Sequence, residues 1–350
     1  MRIISAVLIL LCSSLFLQGQ DPDFSQHYAT PLSLNPALAG TFNGTYRVGG
    51  VYRDAWRIAS PVPITTYVFN GEYRFKVNEK KKNPDYAGAG IKFFSDRTSL
   101  IEQNTNAISA LFAYHKSLSQ YQKQILSFGL EVGLGQKNLN YENLFFEDQF
   151  NNVNGFEGFT EEDLQANNFA YADFSMGLNY SQEINKKNRI NAGLTFAHLS
   201  TPNVSFWRRS ESLDPDLVKV NNIPTLYCLQ LSAENQLSYI ISIQPRIIAK
   251  VQGPHVQVFA GSTVRFDLGT NNKSAVHVGG FARLSNSSEE IGLSHVVPFA
   301  GFEVNEMLLG LSYDINTRDF SNQYQGMGVL EISITYTGEV VEDSAFCPQF

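Results

Sequence analysis

Histidine is the residue from which chemistry would most readily start, and this sequence carries six: His27, His115, His198, His255, His277 and His295. No two stand at the spacing that puts metal ligands on one element, and no cysteine lies near any of them, so no metal is expected. Ser294-His295 has the residue types of half a nucleophilic pair. Neighbours in an extended strand point to opposite faces, so the two would not share a proton there, and no G-x-S-x-G elbow accompanies them. Neither a catalytic residue nor a cofactor is expected.

Binding residues are better represented. The stretch 139–170 carries Glu142, Glu147, Asp148, Glu157, Glu161, Glu162 and Asp163 without a single Lys or Arg. Interleaved with them are Phe145, Phe146, Phe150, Phe156 and Phe159. Two readings stand: a solvated acidic loop whose aromatics fold back onto their support, or a protein-docking surface, since exposed aromatics with a charged rim mark recognition sites. Asp148-Gln149-Phe150-Asn151-Asn152 does not fit an EF-hand calcium loop. A second cluster, Phe206-Trp207-Arg208-Arg209, combines favoured interface anchors, although Trp207 would equally suit a membrane surface. Lys80-Lys81-Lys82 reads as a solvated turn.

The elements that must position these residues are strands. Leu330, Ile332, Ile334 and Tyr336 alternate with Glu331, Ser333 and Thr335. Leu126, Phe128, Leu130, Val132 and Leu134 alternate with Ser127, Gly129, Glu131, Gly133 and Gly135. Each run therefore has one apolar and one polar face. The runs extend for about nine to thirteen residues, matching a tilted bilayer crossing and exceeding ordinary soluble strands. Their polar faces hold ionisable groups, among them Glu131, Asp173, Arg246, Arg265 and Asp314, while Tyr46, Tyr52, Tyr73, Phe75 and Tyr336 sit near run ends, where an interfacial girdle belongs.

These patterns predict an all-β fold, a single transmembrane antiparallel β-barrel of about fourteen strands over 45–338. The runs begin near Thr45, Ile64, Tyr86, Asn104, Lys123, Tyr171, Arg189, Thr225, Ile240, His255, Ala275, Ile291, Met307 and Gly328. The even count suits a closed bacterial barrel. With the N-terminus in the periplasm, the long links 139–170 and 200–224 both face the cell exterior, as the usual asymmetry of such barrels requires.

Ahead of the strands, Met1-Arg2 and the apolar run Ile3–Leu17 read as a secretory signal peptide over 1–19, too short for a membrane helix. The signal contains Cys12, leaving Cys228 and Cys347, which make no disulfide framework. Residues 20–44 are too irregular for a strand and too apolar to float free; they are expected to plug or line the lumen, with Asn35, Pro36 and Gly40 as structural positions. Residues 339–350 are expected to form a periplasmic tail. With 26 Lys+Arg against 33 Asp+Glu and a net charge of −7, no nucleic-acid partner is expected. The localisation that follows is the outer membrane, in contact with its lipid.

Several patches together carry a family resemblance. Asp21-Pro22-Asp23-Phe24-Ser25-Gln26-His27-Tyr28, followed by Pro31-Leu32-Ser33-Leu34-Asn35-Pro36-Ala37-Leu38-Ala39-Gly40, resembles the opening of the PorP/SprF family of type IX secretion outer-membrane proteins. Tyr52-Arg53-Asp54-Ala55-Trp56 with Pro63-Ile64-Thr65-Thr66 resembles that family's first hairpin, and His198-Leu199-Ser200-Thr201-Pro202-Asn203 its mid-barrel motif. Leu311-Ser312-Tyr313-Asp314 and the ending Cys347-Pro348-Gln349-Phe350 complete the order; Gln349 stands where the family usually has Arg, and 139–170 looks like an insertion of this chain's own.

The resemblance implies a non-enzymatic barrel of secretion and gliding in Bacteroidetes. It implies a role in receiving or anchoring the C-terminal domain of a large secreted adhesin, with the type IX translocon or periplasmic ring lipoproteins as further partners. Two rivals stand beside it. A fatty-acid-channel-like transporter of hydrophobic small molecules predicts an apolar lumen path, against which the polar lumen faces count. A lipid-modifying enzyme predicts activity that single Ser or His substitutions remove.

Overall fold

In an apolar solvent every backbone N–H and C=O needs an internal partner, and a closed ring of antiparallel strands supplies them all without leaving an edge. The computed structural model of this chain is such a ring. It describes residues 22–58, 63–77, 85–98, 102–119, 123–141, 144–150, 160–162, 164, 166–206, 221–269, 274–286, 291–317 and 327–339. The expected signal peptide, Lys80-Lys81-Lys82, Phe156, Phe159, Trp207, Arg208, Arg209 and nearly all of the C-terminal tail lie outside the described residues.

Fourteen strands close the barrel. They are β1 (Tyr46–Ala55), β2 (Ile64–Val77), β3 (Asp85–Thr98), β4 (Gln103–Ser117), β5 (Gln124–Asn138), β6 (Asn168–Asn185) and β7 (Asn188–Ala197). The second half comprises β8 (Leu226–Gln236), β9 (Ile241–Gln252), β10 (His255–Asp267), β11 (Ser274–Asn286), β12 (Ile291–Val304), β13 (Met307–Asn316) and β14 (Val329–Gly338). Each pairs antiparallel with its sequence neighbours, and β1 closes on β14 in register from Tyr46 opposite Gly338 to Ala55 opposite Val329. The fourteen expected strands are thus present, and their starts fall on or within three residues of those read from the alternation.

The links sort by end. At the mouth where β1 starts they include the two-residue turns Lys186–Lys187 and Asn305–Glu306. Asn305 and Glu306 both take positive φ, 46° and 63°, the backbone twist that lets a two-residue hairpin continue the twist of its strands. At the opposite mouth are the long links 139–167 and 198–225; this is termed the long-link mouth below.

Alternation decides which face meets what. The outer wall presents Phe69, Ile91, Phe112, Leu130, Phe174, Leu229, Ile247, Val278, Leu311 and Ile334, each between 44% and 60% exposed and distributed right round the ring. Soluble monomers rarely expose so extensive an apolar band; against lipid it is the stable arrangement. Tyr46 and Tyr336 meet at 6.1 Å and Tyr73 and Phe75 at 6.3 Å near the short-link mouth, which is girdle geometry. Leu130→Arg places a charge on this face and is expected to cost about 2–4 kcal/mol in folding into bilayers, as lipid-facing charges near the midplane do. A guanidine titration in vesicles should show this loss and little change for Leu130→Ile, which keeps the outward face apolar.

Candidate functional site

The inward face is polar, and what occupies it is residues 22–44. A chain segment that touches every part of a closed ring must lie within it. Ser25 donates its backbone N–H to the Glu331 carboxylate at 3.0 Å and its hydroxyl to Asp314 at 2.8 Å, on β14 and β13. The Gln26 side-chain amide reaches Ser312 Oγ at 2.9 Å, and the Tyr28 hydroxyl lies 2.7 Å from Ser333 Oγ. On the β9–β11 wall, Asp23 pairs with Lys250 and accepts from Gln257 at 2.5 Å. Across the lumen, Thr195 of β7 donates to the Leu34 carbonyl at 2.9 Å, His115 of β4 lies 2.8 Å from the Ala39 carbonyl, and the Gly40 N–H donates to Glu72 of β2 at 3.0 Å.

Local sequence explains how the segment turns. Pro31 and Pro36 each begin a short helical turn, Pro31–Leu34 and Pro36–Leu38, where a missing N–H costs nothing. Asn35 joins them: its Oδ1 accepts the Ala37 N–H at 2.8 Å, and its Nδ2 donates to the Leu178 carbonyl of β6 at 3.0 Å. Gly40 ends the run with φ +83°, a left-handed conformation that suits glycine. The wall gives way to let the segment in. A Cβ at Gly129 would stand 2.3 Å from the Ala37 nitrogen, and one at Gly177 only 1.9 Å from Asn35 Oδ1. Asn35 is wholly buried, so Asn35→Ala removes the bond to the Leu178 carbonyl and leaves the Ala37 N–H without its acceptor. The expected loss is about 1–3 kcal/mol, read as a lower unfolding midpoint in detergent.

Packing differs between the two mouths. Near the short-link mouth, Ala37, Leu38, Ala39, Thr41 and Phe42 are all buried, and Phe42 accepts a hydrogen bond from Arg74 at 3.1 Å. Midway, Leu34 packs with Cys228, Ile248, Phe259, Phe281, Val297 and Phe299. Toward the long-link mouth, a cavity of about 340 Å³ remains between this segment and β3–β7. Phe24, Leu32, Leu34 and Pro36 form its apolar floor; Lys92, Asp96, Glu131, Lys137, Asp173 and His198 supply the charge on its wall. Lys92 and Glu131 are 2.6 Å apart, and His198 Nδ1 lies 2.8 Å from Asp173. The volume is that of a small-ligand or side-chain pocket. It is a cup with ionisable groups of both signs on its wall and an apolar base.

Two turns frame the cup. His198 and Thr201 adopt positive φ, 57° and 40°, and fold the start of the β7–β8 link back onto β6, with the Leu199 N–H on the Phe174 carbonyl at 2.9 Å. Phe206 follows and packs edge-on against Phe169 at 5.0 Å. On the β5–β6 link, Phe145 is 72% and Phe150 53% exposed, whereas Phe146 is half-buried. Asp148 accepts from the Thr160 hydroxyl at 2.9 Å and from the Glu161 N–H at 2.5 Å, and those bonds hold its carboxyl below the usual carboxylate range. Among the described residues of the two candidate clusters, Phe206 folds back onto the wall, while Phe145 and Phe150 are exposed.

Ser294 and His295 stand at a bulge on β12, where the ladder to β11 shifts register. The Ser294 hydroxyl donates to the Arg283 carbonyl at 2.9 Å. Reading by face placed Glu131, Asp173 and Asp314 on the lumen wall, but not Asp23, Lys250 and Arg283 as one charge cluster. Their polar phase was visible; their meeting was not.

A family model described as the type IX secretion system membrane protein PorP/SprF matches residues 16–336, and the chain belongs to that family. It is thus a β-barrel membrane component of the type IX secretion system, which fits residence in the outer membrane. A search among curated proteins found no match. Among solved structures, the CymD monoaromatic hydrocarbon channel is similar at a TM-score of 0.51 and 9% identity, with 89% of this chain and 93% of that one covered. A Pseudomonas aeruginosa FadL homologue is similar at 0.49 and 9% identity, covering 86% and 92%. At this identity the likeness is one of fold.

Proposed function

We propose that this barrel receives or anchors the C-terminal domain of a large secreted cell-surface adhesin at its long-link mouth, without catalysing a reaction. One observation carries the reading. The outward Phe145 and Phe150, set among acidic residues, share a mouth with a lumen cup whose floor is the chain's own N-terminal segment. Exposed aromatics beside a charged rim suit protein recognition, and a lumen occupied by residues 22–44 suits binding better than passage. By the usual asymmetry of such barrels the long-link mouth faces the cell exterior. The short-link mouth then faces the periplasm, where the translocon or ring lipoproteins would be met.

A transporter of hydrophobic small molecules is the second reading, supported by the general likeness to hydrocarbon channels. The charged cup wall speaks against it. Tagged protein drawn from outer membranes in mild detergent and analysed by mass spectrometry separates the two. A very large secreted protein, or ring lipoproteins, in the eluate supports the proposal; a lone barrel carrying bound lipid or fatty acid overturns it.

A further inference from the structure

We infer that residues 22–44 are threaded through the whole length of the barrel, so that Pro22 is presented at the long-link mouth, on the cell exterior, beside the cup. The path is set by contacts at successive depths. Pro22 and Asp23 lie among Leu226, Gln252 and His255, which are the strand ends of β8, β9 and β10 at the long-link mouth. From there Ser25 and Tyr28 pass Glu331 and Ser333 on β14. The segment then crosses to Asn35, bonded to β6, and runs to Ala39 and Gly40 beside His115 and Glu72. It leaves where the Thr45 N–H donates to the Gly338 carbonyl at 3.0 Å, at the other mouth. The two ends of one segment of chain are thus at opposite faces of the membrane, and the periplasmic start expected from the sequence holds for β1 but not for Pro22.

Asp23 is what holds the first end. Its carboxylate faces Lys250, Gln257 and the Arg283 guanidinium, the last at 3.5 Å, and His27 lies 3.8 Å away. Two cations against one buried carboxylate, flanked by further donors, form a latch that a neutral residue would not replace. Through it Asp23 acts as a positioning residue: it fixes Pro22 and Phe24, both of which line the cup. Pro22 and the cup therefore share one face, and a partner arriving from outside meets both.

Accessible cysteines test this directly in intact cells. Pro22→Cys and Asn43→Cys are made separately in a background with Cys228→Ala and Cys347→Ser, and assembly is verified by heat-modifiable gel mobility. Pro22→Cys should react with a small membrane-impermeant maleimide equally before and after the outer membrane is permeabilised, whereas Asn43→Cys should react only afterwards. Labelling of both from the same side, or of Pro22→Cys only after permeabilisation, overturns the threading outward. Adding Asp23→Asn to Pro22→Cys should raise the labelling rate several-fold; an unchanged rate removes the latch. Neither result depends on which protein the long-link mouth binds, so the adhesin reading stands or falls separately.

Discussion

Arg283→Met is expected to lower barrel stability by about 3–5 kcal/mol, the cost of removing one member of a buried charge cluster and leaving Asp314 without its cation. The Arg283 side chain is almost fully buried, with its guanidinium 2.9 Å from Asp314, 2.7 Å from the Ser25 hydroxyl and 3.5 Å from Asp23. It also lies 5.7 Å from the centre of the Phe259 ring. Without it, Asp314 and Asp23 remain in a wall where Glu331 adds a third carboxylate, wholly buried, from which the Arg53 guanidinium stands off at 3.9 Å. Like charges at that depth repel with little screening. Unfolding in urea, followed by gel mobility and fluorescence, reads the loss. Arg283→Met with Asp314→Asn should recover part of it, because the pair leaves together. A single variant as stable as the parent would mean that the cluster is hydrated and contributes little.

Excision of residues 140–166, replaced by a short glycine-serine link, should abolish surface retention of the cognate adhesin while leaving barrel assembly intact. Assembly survives because β5 and β6 stay paired to their ends, Asn138 opposite Asn168, and the described loop residues are mostly exposed. Retention fails because the outward aromatics go with the loop: a few such anchors carry most of an interface, typically 2 kcal/mol or more for each of the best, or roughly thirtyfold in affinity. Phe145→Ser with Phe150→Ser is the gentler version and keeps the Asp148 turn to Thr160 and Glu161. Whole-cell fluorescence against the adhesin, with gel mobility as the assembly control, measures both. Retention equal to the parent's in the excised variant sinks the docking role of this loop.

The barrel was legible in the residues because its cause is local. Lipid outside and a polar lumen inside impose a two-residue period on each strand separately, so Leu126 to Gly135 or Leu330 to Tyr336 announce their faces without reference to any other strand. Counting the runs then yields an even number, and link lengths divide the two mouths. The same locality makes the shorter cues readable: Pro31, Pro36 and Gly40 mark an irregular segment wherever it ends up. The least exact strand start was that of β6, expected at Tyr171 and found at Asn168, because Asn168–Ala170 extend the pairing with β5 beyond the clear alternation.

The course of the N-terminal segment was decided only in three dimensions. Ser25 meets Glu331 across 306 residues of sequence and Asp23 meets Lys250 across 227, and nothing in the local pattern of either partner names the other. Alternation says that Lys250, Arg283 and Asp314 face inward; closure of the ring brings them around one carboxylate. The cup has the same origin, for it is the volume left when Phe24, Leu32 and Leu34 pack to one side of a lumen whose width is set by fourteen strands. So too with Phe206, an interface candidate by residue type that the turn at His198 lays against Phe169. Side-chain period is a property of each strand alone, whereas partnership across a lumen belongs to the closed barrel.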